Sequence, residues 1–125
     1  MKEHDRQNSG RNALAGKAWI FRANVGSGWT GQECKLPNGD LLLKKPRRFN
    51  TGLPKGFSDT FGFRVVEIRP DMVGTKVAQF VAIEWKDAKG KASDQQSKFL
   101  DVVKSNGGLS GICRTDEDAL ELING

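Results

Sequence analysis

The chain has 125 residues, 37% of them hydrophobic and 28% charged, which predicts one globular domain able to bury its core without staples. Two cysteines and a single histidine, His4, exclude a zinc cluster and a disulfide framework, and no apolar run reaches the roughly 18 residues of a membrane span. The net charge is +5, yet residues 115–125 hold four acids and no lysine or arginine. The 15 acids less these four leave 11 against all 20 basic residues in residues 1–114, an excess of nine that favours a polyanionic partner, nucleic acid first.

In chain order, Met1 to Arg6 is polar and lacks the apolar centre of a signal peptide, so a cytoplasmic protein is expected. Residues 3–15 read as a short helix stopped by Gly16. Lys17 to Val25 reads as a strand, and Gly26 to Gly31 as a glycine loop. Two short extended runs, Glu33 to Leu36 and Asp40 to Leu43, flank the hairpin signal Pro37-Asn38-Gly39. Lys44 to Phe57 is expected to be an irregular basic connection. Asp59 to Ile68 and Thr75 to Lys86 read as long strands around a turn at residues 69–74. The run Val77 to Ile83 is apolar enough to be buried on both faces. Ser93 to Ser105 predicts a helix with Ser93 as its N-cap and Phe99, Leu100, Val102 and Val103 on its apolar face. Asn106-Gly107-Gly108 ends it, Leu109 to Arg114 is a short strand, and Thr115 caps a last helix to about Ile123. This order predicts an α/β domain with a central mixed sheet flanked by helices.

Three acid-x-Lys triplets occur: Glu33-Cys34-Lys35, Glu84-Trp85-Lys86 and Asp87-Ala88-Lys89. The first lies in the hairpin and the last in a turn. The middle one ends the apolar strand, where charge out of water needs a partner. Strand alternation puts Glu84 and Lys86 on one face with Phe80 and Ala82. The pair fits a metal ligand beside a charge partner, and it fits a simple ion pair. Asp59 heads the preceding strand, and an antiparallel pairing of the two strands would let its carboxylate converge with Glu84. Two such carboxylates can hold Mg²⁺ or Mn²⁺, with Lys86 steadying attacking water or phosphate charge. Taken alone, Asp59 is an aspartate at a turn.

Gly26-Ser27-Gly28-Trp29-Thr30-Gly31 matches GxGxxG, but no helix follows and the region some 20 residues on is Lys44-Lys45, so it is no dinucleotide fingerprint. Trp29 there is placed to stack on an exposed base. Lys44, Lys45, Arg47 and Arg48, around Pro46, form the densest basic cluster and are expected to contact phosphates. His4 is isolated, and Ser58 has no histidine partner for nucleophilic chemistry.

These pieces resemble, in order, the VRR-NUC family of the PD-(D/E)XK nuclease superfamily, and especially its small stand-alone phage and bacterial members. The matching residues are Phe21-Arg22-Ala23-Asn24-Val25-Gly26, Gly52-Leu53-Pro54-Lys55-Gly56-Phe57-Ser58-Asp59, Ile83-Glu84-Trp85-Lys86, and Ser93-Asp94-Gln95-Gln96 followed by Phe99. Ser58 stands where the superfamily name records a proline, a turn position and not a ligand. The resemblance implies a restriction-endonuclease-like fold and Mg²⁺- or Mn²⁺-dependent hydrolysis of DNA phosphodiesters. It implies metal ligation by Asp59, Glu84 and the Trp85 backbone carbonyl, with Lys86 as catalytic lysine and Gln96 on the helix facing the site. Glu3 fits the family's acid on the first helix. Arg22 and Lys55 join Trp29 and the basic cluster as expected DNA contacts. Stand-alone members resemble homodimeric Holliday-junction resolvases, so branched DNA is the expected substrate, within a bacterial cell or phage-infected host. Flap- or end-directed cutting, and a non-catalytic DNA-binding module on the same fold, are the alternatives.

Overall fold

A computed structural model describes residues 2–125. The elements run α1 (Glu3–Ala13), β1 (Trp19–Arg22), β2 (Ser27–Lys35), β3 (Leu41–Asn50), β4 (Thr60–Phe63), a 3-10 turn (Pro70–Met72), β5 (Val81–Trp85), α2 (Asp94–Ser105), β6 (Leu109–Cys113) and α3 (Asp116–Asn124). The fold is mixed α/β, as expected. The strands pair as three two-stranded ladders, β1–β4, β2–β3 and β5–β6, where one central sheet was expected. The chain divides into two compact units, one of residues 2–14 and 19–62, the other of residues 15–18 and 63–125. No helix is long and apolar enough to cross a membrane among the described residues.

In the first unit, β2 and β3 form an antiparallel ribbon running from Ser27↔Asn50 to Lys35↔Leu41. Its turn follows from Pro37-Asn38-Gly39. The Gly39 N–H donates to the Leu36 carbonyl at 3.0 Å, and the Leu36 N–H donates to Asp40 at 2.8 Å. Gly39 has φ 92°, the left-handed conformation that a three-residue hairpin loop requires. Two expectations are corrected here. The glycine segment from residue 27 is strand, and so is the basic stretch through Lys44, Lys45, Arg47 and Arg48. Neither glycine nor charge favours a strand locally, and cross-strand hydrogen bonds overrule that preference.

The ribbon carries a bulge. Thr30 pairs with Arg47 and Gln32 with Lys44, so Lys45 and Pro46 together oppose Gly31. A Cβ on Gly31 would sit 2.8 Å from the Lys44 carbonyl oxygen, so only glycine lets the two backbones approach this closely. Lys45 has φ 49°. It occupies the left-handed position that glycine usually takes in such a bulge, immediately before a proline that disfavours it further.

Elsewhere in the first unit, Phe57 and Phe21 both pack on Phe61 at centroid distances of 5.6 Å. These rings pin β1, the start of β4 and the segment between Phe57 and Thr60.

In the second unit, β5, α2 and β6 form a βαβ crossover. β5 and β6 pair in parallel from Val81↔Leu109 to Trp85↔Cys113. α2 packs on both strands and α3 packs on β6. Val103 of α2 and Cys113 of β6 are each 1% exposed and mark the core. Phe63 and Phe80 pack at 4.9 Å. The two long strands expected around residues 69–74 are short. Residues 64–69 and 73–80 have no ladder, Val77 is 59% exposed, and β5 is not buried on both faces. β4 pairs with β1 and β5 with β6, so the antiparallel β4–β5 pairing by which Asp59 would converge with Glu84 is not the one formed. An apolar sequence marks a segment as able to be strand, but a strand exists only where another backbone takes its N–H and C=O groups.

Both later helices begin as the sequence predicts, with capping boxes Ser93/Gln96 and Thr115/Asp118. The Asp118 carboxylate accepts from the backbone N–H groups of Arg114 and Thr115 at 2.8 and 3.1 Å. The Arg114 N–H, first, holds its pKa below the ordinary 3.8, with the Thr115 backbone and hydroxyl adding to this against some desolvation.

Two outcomes are expected. Lys45→Gly removes the left-handed strain, and urea unfolding should show stability raised by about 1 kcal/mol at unchanged m. Because the folded pKa of Asp118 is lowered, its contribution is present above the ordinary carboxylate value and lost as pH falls through the lowered one. Amide-exchange protection factors in α3, corrected for the intrinsic rate at each pH, should therefore fall below roughly pH 4, and Asp118→Asn should remove that acid-dependent component.

Candidate active site

The end of β5 and the start of α2 build one polar cluster in the second unit. Glu84 in β5 and Lys86 just beyond its end lie two residues apart on one face, as strand alternation requires. The Lys86 N–H donates to the Cys113 carbonyl at 3.1 Å, which carries the ladder one residue beyond the strand and fixes the lysine backbone. The Lys86 ammonium lies 3.0 Å from Glu84 Oε1, with 22% and 27% of the two side chains exposed. The ion pair left open by the sequence is therefore formed, at the rim of the core and not within it.

Gln96 completes the cluster by a constraint from the helix cap. Its Oε1 accepts from the Ser93 backbone N–H at 2.9 Å, while its own N–H donates to the Ser93 hydroxyl at 3.1 Å. The cap takes the carbonyl end of the amide, so the Nε2 end must face the other way. There it donates to Glu84 Oε1 at 2.9 Å. Either Glu or Gln completes a capping box, but only Gln has a donor left for a carboxylate.

Lys86 and Gln96 both bind Oε1, and Oε2 stands outside both contacts. The ladder also orients the Trp85 carbonyl. Leu109 N–H donates to the Phe80 carbonyl, and Lys86 N–H to the Cys113 carbonyl. In a parallel ladder alternate residues serve the same neighbour, so residues 80, 82, 84 and 86 face β6 and the Trp85 carbonyl points away from it. Glu84 lines a cleft of about 510 Å³ together with Ser93, Gln96 and Phe99, and a carboxylate oxygen there is a hard ligand of the kind that suits a small cation keeping most of its water, as Mg²⁺ does. No group of three or more His, Cys, Asp or Glu side chains is gathered to hold a metal among the described residues.

The other two triplets behave as solvated structure. Asp87 accepts from the Lys89 and Gly90 N–H groups at 3.0 and 2.6 Å, closing a turn. The Arg114 guanidinium donates to the Asp87 carbonyl and braces that turn just after Lys86. Sequence reasoning missed Arg114, since its contact joins positions 27 residues apart. Glu33 is an exposed residue of β2.

The remaining candidates belong to the first unit. Asp59 is exposed, directly precedes β4, and is held by its backbone, whose carbonyl accepts from the Ala23 N–H at 2.9 Å. Glu3 lies in the first turn of α1 and accepts a 3.5 Å contact from Gln7. Arg22 and Lys55 are exposed. In the ribbon, the Arg48 guanidinium lies 5.2 Å from the centre of the Trp29 ring and donates to the Ser27 hydroxyl at 2.8 Å. The structure thus brings together Glu84, Lys86 and Gln96 in one unit, and Trp29 and Arg48 in the other.

Over residues 32–117 the sequence matches the VRR-NUC domain family, from β2 into the first turn of α3. No curated protein matches the chain at a significant level, and no solved structure does.

The shared role of Gln96 sets an expected pair of outcomes. Ser93→Ala should cost about 1 kcal/mol through the lost cap. Gln96→Glu should keep the cap and add a carboxylate against Glu84. Thermal melting of both variants, with amide exchange at residues 93–97, separates the cap from the contact with Glu84.

Proposed function

The chain belongs to the VRR-NUC domain family, which makes it a nuclease acting on DNA, and from that premise we propose a divalent-metal-dependent endonuclease that hydrolyses phosphodiesters in branched DNA. The observation that carries the proposal is Glu84 at the end of β5, held at one oxygen by Lys86 and Gln96 and left with its other oxygen outside those contacts.

Glu84 and the Trp85 carbonyl would hold the ion. Asp59 enters as the second carboxylate on its place in the motif order, and Glu3 as a further acid on the same ground. When bound, Mg²⁺ or Mn²⁺ would supply an activated water and neutralise phosphate charge. Lys86, already fixed by the ladder and by Glu84, presents a point charge to the attacked phosphate and its developing negative charge. Gln96 keeps the carboxylate from rotating away. The excess of nine basic charges over residues 1–114 draws the polyanion in. A homodimer, with one site for each strand, would suit the two-fold symmetry of a four-way junction.

Purified full-length protein should cut a labelled four-way junction in Mg²⁺ or Mn²⁺, and not in EDTA. Linear duplex should be cut less. Glu84→Ala and Lys86→Ala should each lower cutting by about 100-fold or more while retaining DNA binding. Cutting without metal, or full activity in Glu84→Ala, would refute the mechanism. Preference for flaps would redirect the substrate to ends. Tight binding with no turnover in either metal would leave a DNA-binding module. Sedimentation at working concentration tests the dimer.

A further inference from the structure

The β2–β3 ribbon holds five basic residues, Lys35, Lys44, Lys45, Arg47 and Arg48, against one acid, Glu33. In a plain strand Lys44 and Arg47, three apart, would point to opposite faces. Here they do not. Lys44 pairs with Gln32 and Arg47 with Thr30. Gln32 and Thr30 are two apart on an unbulged strand, so they share a face, and their partners share it with them. The extra residue at Lys45 has shifted the phase. Trp29 and Arg48, the next pair along, occupy the opposite face, with the indole 55% exposed and the guanidinium over its ring.

The two faces offer different chemistry. On one, Lys44 and Arg47 stand two rungs apart, roughly 6.7 Å along the ribbon, about the rise of two nucleotide steps measured along a duplex axis. On the other, a braced aromatic ring presents a flat surface of the kind on which unpaired bases stack. The bulge that separates them is maintained against cost, since Lys45 is held at φ 49° and Gly31 has no room for a side chain.

We propose that the β2–β3 ribbon is a two-faced arm for DNA in which duplex and unpaired strand meet, with Lys44 and Arg47 gripping duplex phosphates and Trp29, braced by Arg48, stacking on an unpaired base. The proposal rests on the reading of the chain as a DNA nuclease and names the part of the substrate that the arm contacts.

Binding is measured by fluorescence anisotropy of full-length protein in EDTA, across a salt series, with a linear duplex and with a fork carrying single-stranded arms. The double variant Lys44→Ala, Arg47→Ala should flatten the slope of log affinity against log salt by about 1.8 on both DNAs, 0.9 for each phosphate contact. Trp29→Ala should keep the slope and weaken the fork alone by about ten-fold or more. Inserting a glycine after Gly31 gives Lys45 and Pro46 a partner each, closes the bulge without removing charge, and puts Lys44 and Arg47, three apart in a plain strand, on opposite faces. The insertion should flatten the slope by about 0.9, the share of one phosphate contact. Circular dichroism shows which variants keep the fold, and the double variant changes only surface charge.

A wild-type slope in the insertion variant would overturn the phasing. An unchanged slope in the double variant, or equal loss on both DNAs from Trp29→Ala, would overturn the two-faced arm. Wild-type protein that cuts DNA in Mn²⁺ while the variants bind as wild type defeats the arm alone. Wild-type protein that neither binds nor cuts these two DNAs or the four-way junction defeats the nuclease reading beneath it.

Discussion

One amide side chain couples the second unit's helix start to its strand end. Gln96 spends its carbonyl oxygen on the Ser93 N–H and its nitrogen on Glu84 Oε1. Local and long-range structure therefore depend on the same group. Losing the cap would free the amide to turn, and losing Glu84 would leave a half-buried donor without its acceptor. The Lys86 ion pair closes the arrangement from the strand side. With about a quarter of each side chain exposed, that pair adds little stability of its own, roughly 0–1 kcal/mol. Its consequence is geometric: one carboxylate oxygen is committed, and the other is not.

The surroundings make this position dependable. β5 and β6 run parallel under α2, and the ladder continues to Lys86 through the Cys113 carbonyl. Among the described residues Cys113 and Val103 are the two at 1% exposure, and the Lys86 N–H bonds the carbonyl of the first of them, so the polar cluster adjoins the best-packed part of the unit. The turn after Lys86 is closed by Asp87 and braced by Arg114. Structural hydrogen bonds consume the nearby acid of the third triplet and leave Glu84 as the carboxylate of the cleft. The second unit thereby separates two chemically identical patterns, acid-x-Lys, by what their neighbours do to them.

The ribbon of the first unit shows a different economy. Its order comes from backbone pairing and one strained residue, with its charges left in solvent. Residues that resist strand structure individually, glycine, lysine and proline among them, are held in it together. A bulge at Gly31 and Lys45 changes which charges share a face without changing the composition at all.

Features with local causes were legible in the sequence. Ser93 and Thr115 announce helix starts because a side-chain oxygen three residues before a free N–H is a short-range device. Pro37-Asn38-Gly39 announces the hairpin because few residues tolerate its backbone angles. The sharing of a face by Glu84 and Lys86 follows from the two-residue period of a strand, and the ordered motifs from Phe21 to Gln96 pointed to the family that the match over residues 32–117 establishes. Only tertiary structure could decide what depends on a partner distant in the chain. It ended β4 at Phe63 and delayed β5 to Val81, because apolar residues do not supply the backbone partner that a strand needs. It turned a basic loop into a bulged strand, because cross-strand bonds outweigh weak local preferences. It chose which oxygen of Glu84 is bound and which is left, because that choice belongs to Lys86 and Gln96 together, and no spacing within the sequence contains it.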